Sequence, residues 1–265
     1  MGIDIIIPSR SQPDQDQFLK LSLASIASQD TSLAGHIRVL LCLDQGASVP
    51  SLPHGLGFDL VVLHAFGSGQ VAALNAGIAE IRAEFVAFLE DDDQWHPSFL
   101  RLALQTLKTA QKSPTDLVMV SSTQLERNPD GSVVRVNDYA TPSGWLLTNA
   151  TLKQIGSFDA SYRFHLDSEW LGRAAESGVR RFHLVEATAP IADHHLSQVR
   201  PWLYRVRMQS NQTCQLVRHS LPLPLVQRLV HPQSGMSSIA RDPKLLARSR
   251  QERQRLMERF SRVPW

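Results

Sequence analysis

An α/β fold with a mixed, mostly parallel sheet flanked by helices and a C-terminal helical extension is the prediction for this 265-residue sequence. Three observations carry it. Short apolar runs of strand length alternate with segments of helical periodicity. The links between them are short, which suits right-handed βαβ units. One run, residues 85–89, ends in four consecutive acids, Glu90, Asp91, Asp92 and Asp93. Open α/β sheets bind ligands in the crevice at such strand ends.

Residues 3–7 are an apolar run closed by Pro8, a first buried strand. Residues 14–28 place Phe18, Leu21 and Ile26 at helical spacing, a crossover helix. Residues 37–43 form the second strand, stopped by Asp44-Gln45-Gly46, and residues 59–63 the third. A loop with Gly67 and Gly69 leads into a helix at about 71–82. After the strand at 85–89 comes a helix over 97–112. Beyond Ser113-Pro114 the pattern turns mixed. Residues 116–121 are strand-like, the Asn128-Pro129-Asp130-Gly131 turn joins them to a Val-rich segment at 132–136, and 180–185 is a further strand. Residues 148–155 and 167–176 read as helices, and 201–265 as helical arms broken at Leu221-Pro222-Leu223-Pro224 and at His231-Pro232. The expected organisation is a domain over 1–200 and a basic helical extension over 201–265.

Composition is that of a globular protein, 43% hydrophobic and 20% charged, so a large core can form. No apolar run approaches the roughly 20 residues that span a bilayer. The opening MGIDIIIPSR has no basic leader and enters a strand at once, so no signal peptide is expected. Cys42 and Cys214 offer no disulfide framework and are expected to be reduced thiols of a cytoplasmic protein. Charge is unevenly spread. Residues 200–265 hold 13 Lys/Arg against 3 Asp/Glu, a net of +10, and residues 1–199 hold 14 against 22, a net of −8. An acidic body with a basic tail points to two tasks or to an electrostatic dock.

Acid runs are commonly solvated loops. Directly after a buried strand, however, four carboxylates crowd together and repel one another, and a divalent cation relieves that repulsion. Oxygen-only donors suit Mg²⁺ or Mn²⁺, with substrate phosphates completing the shell.

Several motifs in order resemble glycosyltransferase family 2. IDIIIPSR resembles its opening strand and Ile-Pro turn, and SLASIASQ at 22–29 its first helix. LDQGA at 43–47 resembles the Asp-Asp-Gly-Ser turn, and ALNAGI at 73–78 the Arg-Asn-x-Gly helix. FLEDDDQWHP resembles the family's metal motif, and IGSFDASYRFHLDSEWLGR its Val-Gly-x-Phe-Asp segment followed by Glu-Asp-x-Asp and Arg. The match spans about residues 3–200. It implies a GT-A (Rossmann-like) fold and metal-dependent transfer of a sugar from a nucleoside-diphosphate donor to a hydroxyl, with inversion.

The resemblance also assigns roles. Glu90, Asp91 and Asp92 fill the Asp-x-Asp triplet, with Asp92 the direct ligand of Mn²⁺ or Mg²⁺ and Asp91 or Glu90 on the ribose or beyond the first shell. Asp93 is expected to cap the helix that follows. Asp44 would read the base, Pro8 and Ser9 would border that pocket through backbone groups, and Asn75 would face it. Leu74 stands where the family has a basic residue. Asp167 is the implied base, since an inverting transfer needs a carboxylate to take the acceptor's proton. Leu166 replaces its paired Glu, while Glu169 and Arg173 complete the pattern. His195, ahead of His194, would complete the metal or pyrophosphate site. Trp145 and Trp170 are either walls for the acceptor or core residues.

The implied partners are a nucleotide-sugar donor, with a UDP-sugar favoured, and a saccharide or lipid-linked hydroxyl acceptor. No nucleic acid is expected. The last amphipathic arm carries Arg241, Lys244, Arg248 and Arg255 around an apolar side with Leu245, Leu256 and Phe260. It is expected either to dock on an anionic acceptor or on the inner membrane surface, or to lie on the acidic body of its own chain or of a second subunit. A nucleotidyltransferase is disfavoured because PSRSQPDQ lacks a glycine-rich basic loop, and a catalytically silent sugar-binding protein is the other alternative.

Overall fold

The computed structural model describes residues 2–12, 16–188, 214–232, 234, 239 and 241–264. Strand β1 (Gly2–Ser9) leads through α1 (Asp16–Ala27) to β2 (His36–Leu43) and then β3 (Asp59–His64), each parallel to its predecessor. Helix α2 (Gln70–Ala79) returns the chain to β4 (Phe85–Phe88), which pairs with the other side of β1. Strand order therefore reverses between β1 and β4, and a crevice opens at their carboxyl ends.

After β5 (Gln94–Trp95) and α3 (Phe99–Ala110), β6 (Val118–Ser122) enters the large sheet. Strands β7 (Gln124–Arg127) and β8 (Val133–Asn137) form a hairpin in a second, smaller sheet. A 3₁₀ turn at Pro142–Gly144 then precedes β9 (Leu146–Thr148), which lies antiparallel between β4 and β6 and makes the large sheet mixed. Helices α4 (Asn149–Ile155) and α5 (Leu166–Glu176) follow, and β10 (Arg180–Val185) runs parallel to β6. The chain closes with β11 (Cys214–Arg218), β12 (Val226–Leu229) and α6 (Pro243–Phe260).

Both faces of the large sheet are covered, which is why its strands read as continuous apolar runs. Side chains alternate between two cores. Ile3, Ile5 and Ile7 join Leu23 of α1 and Leu100, Leu104 and Leu107 of α3. Ile6 points the other way, to Leu74 of α2, Trp170 of α5 and Leu256 of α6. Gly77 lets α2 lie close to the sheet, because a Cβ there would sit 2.7 Å from Ile6 and 2.9 Å from Cys42 Sγ. Both cysteines are free and buried, and burial pushes the Cys42 thiol up to about 12. At the opposite end of β1, Arg38 binds buried Asp4 through two hydrogen bonds of 2.8 and 2.7 Å. Burial alone would raise that carboxyl, but Arg38 and the backbone N–H groups of Ala83 and Arg82 hold it below the usual range.

The expected α/β class with a mixed, mostly parallel sheet is what the chain adopts. The helical reading of residues 201–265 needs correction. β11 extends the edge of the large sheet beside β10, and β12 pairs with β7 and β5 in the small one. Pro222, Pro224 and Pro232 fall between or after these strands rather than between helices. Among the described residues, α6 is helical as expected, and Ile239 and Arg241 just before it are helical too. The proposed boundary at 200 lies outside the described residues.

Candidate active site

The acidic turn after β4 is held by side chains whose role only the fold reveals. Ser22 Oγ of α1 lies 3.0 Å from the Asp91 carbonyl oxygen and also meets that of Asp93. Ser25 Oγ accepts from the Trp95 N–H at 3.1 Å, and Gln29 clasps the His96 carbonyl and the Leu100 N–H at 2.9 Å each. Across the turn, Ser143 Oγ donates to Asp93 Oδ2 at 2.6 Å and accepts from the Glu90 N–H at 3.0 Å. The SLASIASQ helix thus positions the acids rather than contacting a ligand.

These acids open into a cavity of about 560 Å³. Pro8, Ser9 and Arg10 line it from the end of β1, Asp44 from the end of β2, and Ser68, Gly69 and Gln70 from the start of α2. Asp44 Oδ1 accepts the Gly69 N–H at 2.8 Å, which fixes the carboxylate and the glycine turn together. Gly69 has φ 97°, a conformation L side chains rarely adopt. The N-terminus of α2 meets the cavity, and helix N-termini favour anions. Gln70 Nε2 donates to Glu90 Oε1 at 2.9 Å. Arg163, Arg228 and Arg248 line the cavity as well, Arg228 within range of the Glu90, Asp92 and Asp93 charges.

Glu90, Asp92 and Asp93 each present an oxygen within 4.8 Å of the others. Burial raises the Glu90 carboxyl, and the neighbouring charges of Asp92 and Asp167 push it further. Burial, then the Asp92 and Glu90 charges, raise Asp93 well above the aspartate range, and burial with Asp92 lifts Asp91 to about 7. Arg228 offsets part of this. Burial weakens its own charge, but Glu90, Asp93, Glu126 and Asp92 together hold its pKa above the ordinary arginine value. Three converging carboxylates with surplus negative charge fit a hard divalent cation. Asp92 Oδ2 also lies 2.9 Å from Nε2 of buried His231, an orienting contact of the kind metal-binding carboxylates use.

Asp167 stands in the first turn of α5, where its Oδ1 accepts the Ser168 N–H at 2.7 Å. Burial raises its carboxyl, against the lowering effects of that N–H and of the His165 and Arg228 charges. A carboxylate whose proton affinity is raised in this way, within range of the Glu90 and Arg228 charges, is suited to taking a proton.

Comparison with known proteins bears on this arrangement. The model of Glycosyl transferase family 2 matches residues 53–164, which contain the acidic turn. The pre-mycofactocin glycosyltransferase of Mycobacterium tuberculosis is 26% identical over 211 residues, 71% of this chain and 44% of that protein. The uncharacterized glycosyltransferase YwdF of Bacillus subtilis is 29% identical over 121 residues, 41% of this chain and 45% of that one. Residues 53–164 are thus similar to glycosyltransferase family 2. The chain spans less than half the length of both relatives. The crystal structure of S. aureus TarS superposes with a TM-score of 0.53 at 14% identity, covering 88% of this chain and 37% of TarS. TarS 1–349 in complex with UDP gives 0.52 at 13% identity, covering 88% and 61%. That likeness is one of fold, and the fold is the GT-A type.

Pro8, Ser9, Asp44, Glu90, Asp91 and Asp92 come together around one cavity, whereas Asp167 is not among its lining residues. Asn75 does not line it. Its amide accepts from the Phe158 N–H at 2.8 Å and donates to the Phe158 carbonyl at 2.9 Å, so it ties α2 to the segment before α5. Asp93 is no helix cap. Ser98 precedes α3, and Asp93 is buried on Ser143 and on the Leu229 N–H, within the acid group. Leu74 is fully buried in the core, while the cavity's cations are Arg10, Arg163, Arg228 and Arg248. His194 and His195 lie outside the described residues. Trp145 and Trp170 stack at 5.0 Å in the core and wall no cavity. His231 and Arg228 were not legible beforehand, because nothing local to them in sequence is acidic.

The basic arm packs on the body of its own chain. Arg259 binds Glu169 at 3.1 Å and Glu176 at 3.0 Å, and Glu169 also accepts from Arg173. Gly172 accommodates the Phe260 ring, 2.5 Å from where a Cβ would stand. Leu256 is fully buried, so the arm's apolar side is turned into the protein. Glu252, 1% exposed, accepts three consecutive backbone N–H groups, those of Arg163 (2.9 Å), Phe164 (2.8 Å) and His165 (3.2 Å), just before α5. Glu252→Ala leaves those donors unpaired in the interior. We expect a loss of about 3–5 kcal/mol in urea unfolding, since each orphaned buried donor costs about 1–3 kcal/mol. Glu252→Gln, which keeps one acceptor oxygen, should recover part of it.

Proposed function

We propose that this chain transfers a sugar from a nucleoside-diphosphate sugar, UDP-linked in the favoured case, to a hydroxyl acceptor with inversion. The observation that carries the reading is the acid group at the β4 end, opening into a cavity that arginines and a helix N-terminus also line. That arrangement suits a diphosphate whose charge grows as it leaves. The TarS complex with UDP supports the nucleotide choice, through fold likeness.

In this reading Asp44 accepts from the base, and Ser9 and the α2 N-terminus hold the nucleotide's polar groups. Asp92, with Glu90 and Asp93, would hold Mg²⁺ or Mn²⁺, which supplies neutralisation of the leaving diphosphate. Asp167 takes the proton from the acceptor hydroxyl as its oxygen attacks the anomeric carbon. The carbon–oxygen bond to the β-phosphate breaks, and the nucleoside diphosphate departs with the electron pair. Arg228 and Arg163 meet that charge.

A thermal-shift series of UDP, GDP, CDP and ADP, each with Mn²⁺, Mg²⁺ or chelator, tests the reading. At about 100 times Kd a ligand adds about 2.7 kcal/mol. For a chain of this size that is a rise of about 5 °C or more. We expect one nucleotide to stand out, and only with metal. A flat series would overturn the nucleotide-sugar assignment. Binding without slow hydrolysis of the matching sugar donor would leave a silent binding protein.

A further inference from the structure

A second cavity, about 540 Å³, lies along α6 and shares Arg248 with the candidate active site. Lys244, Arg248 and Arg255 face it together with Ser161, so three cations on one side of a helix meet the loop that leads to Asp167. The only acid lining it is Glu252, and that carboxylate is spent on three backbone N–H groups and Arg248 Nε. Lys244 is exposed, and no carboxylate among the described residues pairs with its ammonium. Arg248 gives its Nε to Glu252, which leaves its terminal nitrogens for a ligand. Arg255 stacks on Tyr162 at 4.3 Å and donates to the Ser161 carbonyl at 3.0 Å and to Ser161 Oγ at 3.3 Å, so it adds positive charge to the groove while Lys244 and Arg248 supply the free donors. Arg259, one turn further along, is by contrast engaged with the carboxylates of Glu169 and Glu176.

We propose that this groove is the acceptor's subsite and that it takes a phosphate group carried by the acceptor. The inference rests on the adjoining cavity being the site of sugar transfer. A neutral sugar hydroxyl has no use for three cations. A phosphate offers guanidinium and ammonium groups several charge-assisted hydrogen bonds at once. An acceptor anchored here would cross Arg248 into the main cavity, with Ser161 at its side and its hydroxyl directed toward Asp167. The negative charge of the acceptor and the diphosphate of the donor would then be met by different faces of Arg248 and by separate cations beyond it.

The test uses the full chain and measures binding rather than turnover. Glycerol 1-phosphate and glycerol are titrated by NMR at low salt, in chelator, against wild type, Lys244→Glu and Arg248→Gln. We expect glycerol 1-phosphate, and not glycerol, to shift signals along α6. Each substitution should weaken the affinity by about tenfold, the size of one charge-assisted contact. Lys244 is exposed, so its variant keeps the fold even where Arg248→Gln does not. Equal affinity in Lys244→Glu, or equal binding of glycerol, overturns the proposal. So does binding to phosphatidylglycerol vesicles, but not phosphatidylcholine vesicles, without any binding of glycerol 1-phosphate, since that assigns the groove to a membrane surface. A failure here leaves the nucleotide-dependent thermal shift intact, whereas failure of the transfer reading removes that shift in wild type.

Discussion

Asp92→Ala abolishes sugar transfer and removes the metal-dependent part of nucleotide binding; this is the largest effect expected of any substitution in the chain. Asp92 lies between the other two members of the acid group, and His231 orients its Oδ2 from 2.9 Å. Loss of cation stabilisation of a leaving diphosphate is worth several kcal/mol, so the rate should drop about a thousandfold or more. Affinity measured in chelator should match wild type, because no cation acts there. Stability should hold or rise, since one of several repelling carboxylates has gone. Equal loss of nucleotide binding with and without metal would show that Asp92 does not act through a cation.

Asp167→Asn should fold as wild type and bind nucleotide as wild type, yet turn over about 10²–10⁴-fold more slowly. The amide keeps the shape and still accepts the Ser168 N–H, but it takes no proton. The pH profile gives an independent reading. Burial raises the Asp167 carboxyl above the ordinary aspartate value. A base works only when deprotonated, so wild-type kcat should climb with pH through that raised value and fall away below it. The variant should lack this limb. Activity near wild type would move the base elsewhere. Glu169 is a poor substitute, because Arg173 and Arg259 occupy its oxygens.

What could be read in the sequence is what depends on short range. Strands β1, β2 and β4 are largely apolar runs buried on both sides, and the acids follow β4 almost at once, so order, class and main cavity were legible. Short or polar strands were not. Gln94–Trp95 has only two residues, and Gln124–Arg127 alternates no apolar side chains; each exists because β12 pairs with it. β12 itself lies among prolines that suggested broken helices. The same limit hid Asp93 and Asn75. Their partners, Ser143, Leu229 and Phe158, are 50, 136 and 83 residues away, and a side chain's role follows from its partner. The basic arm's placement was open between several docks. The pairing of Arg259 with Glu169, the bonds of Glu252 to the turn before α5 and the burial of Leu256 decide that it lies on its own chain.

Eighty-nine residues separate Arg163 from Glu252, the carboxylate that fixes the start of the Asp167 helix. On the ribosome, at about 5–20 residues per second, that gap is some 4–18 seconds of synthesis. The sheet strands and acid turn that meet the nucleotide leave the ribosome first, with their helix contacts already in hand. The proton-accepting side is finished later, when α6 arrives and draws three N–H groups onto one carboxylate. A nascent chain therefore acquires the means to hold a donor before it acquires a rigid base to discharge it, so maturation of the two halves of the chemistry is staggered in time.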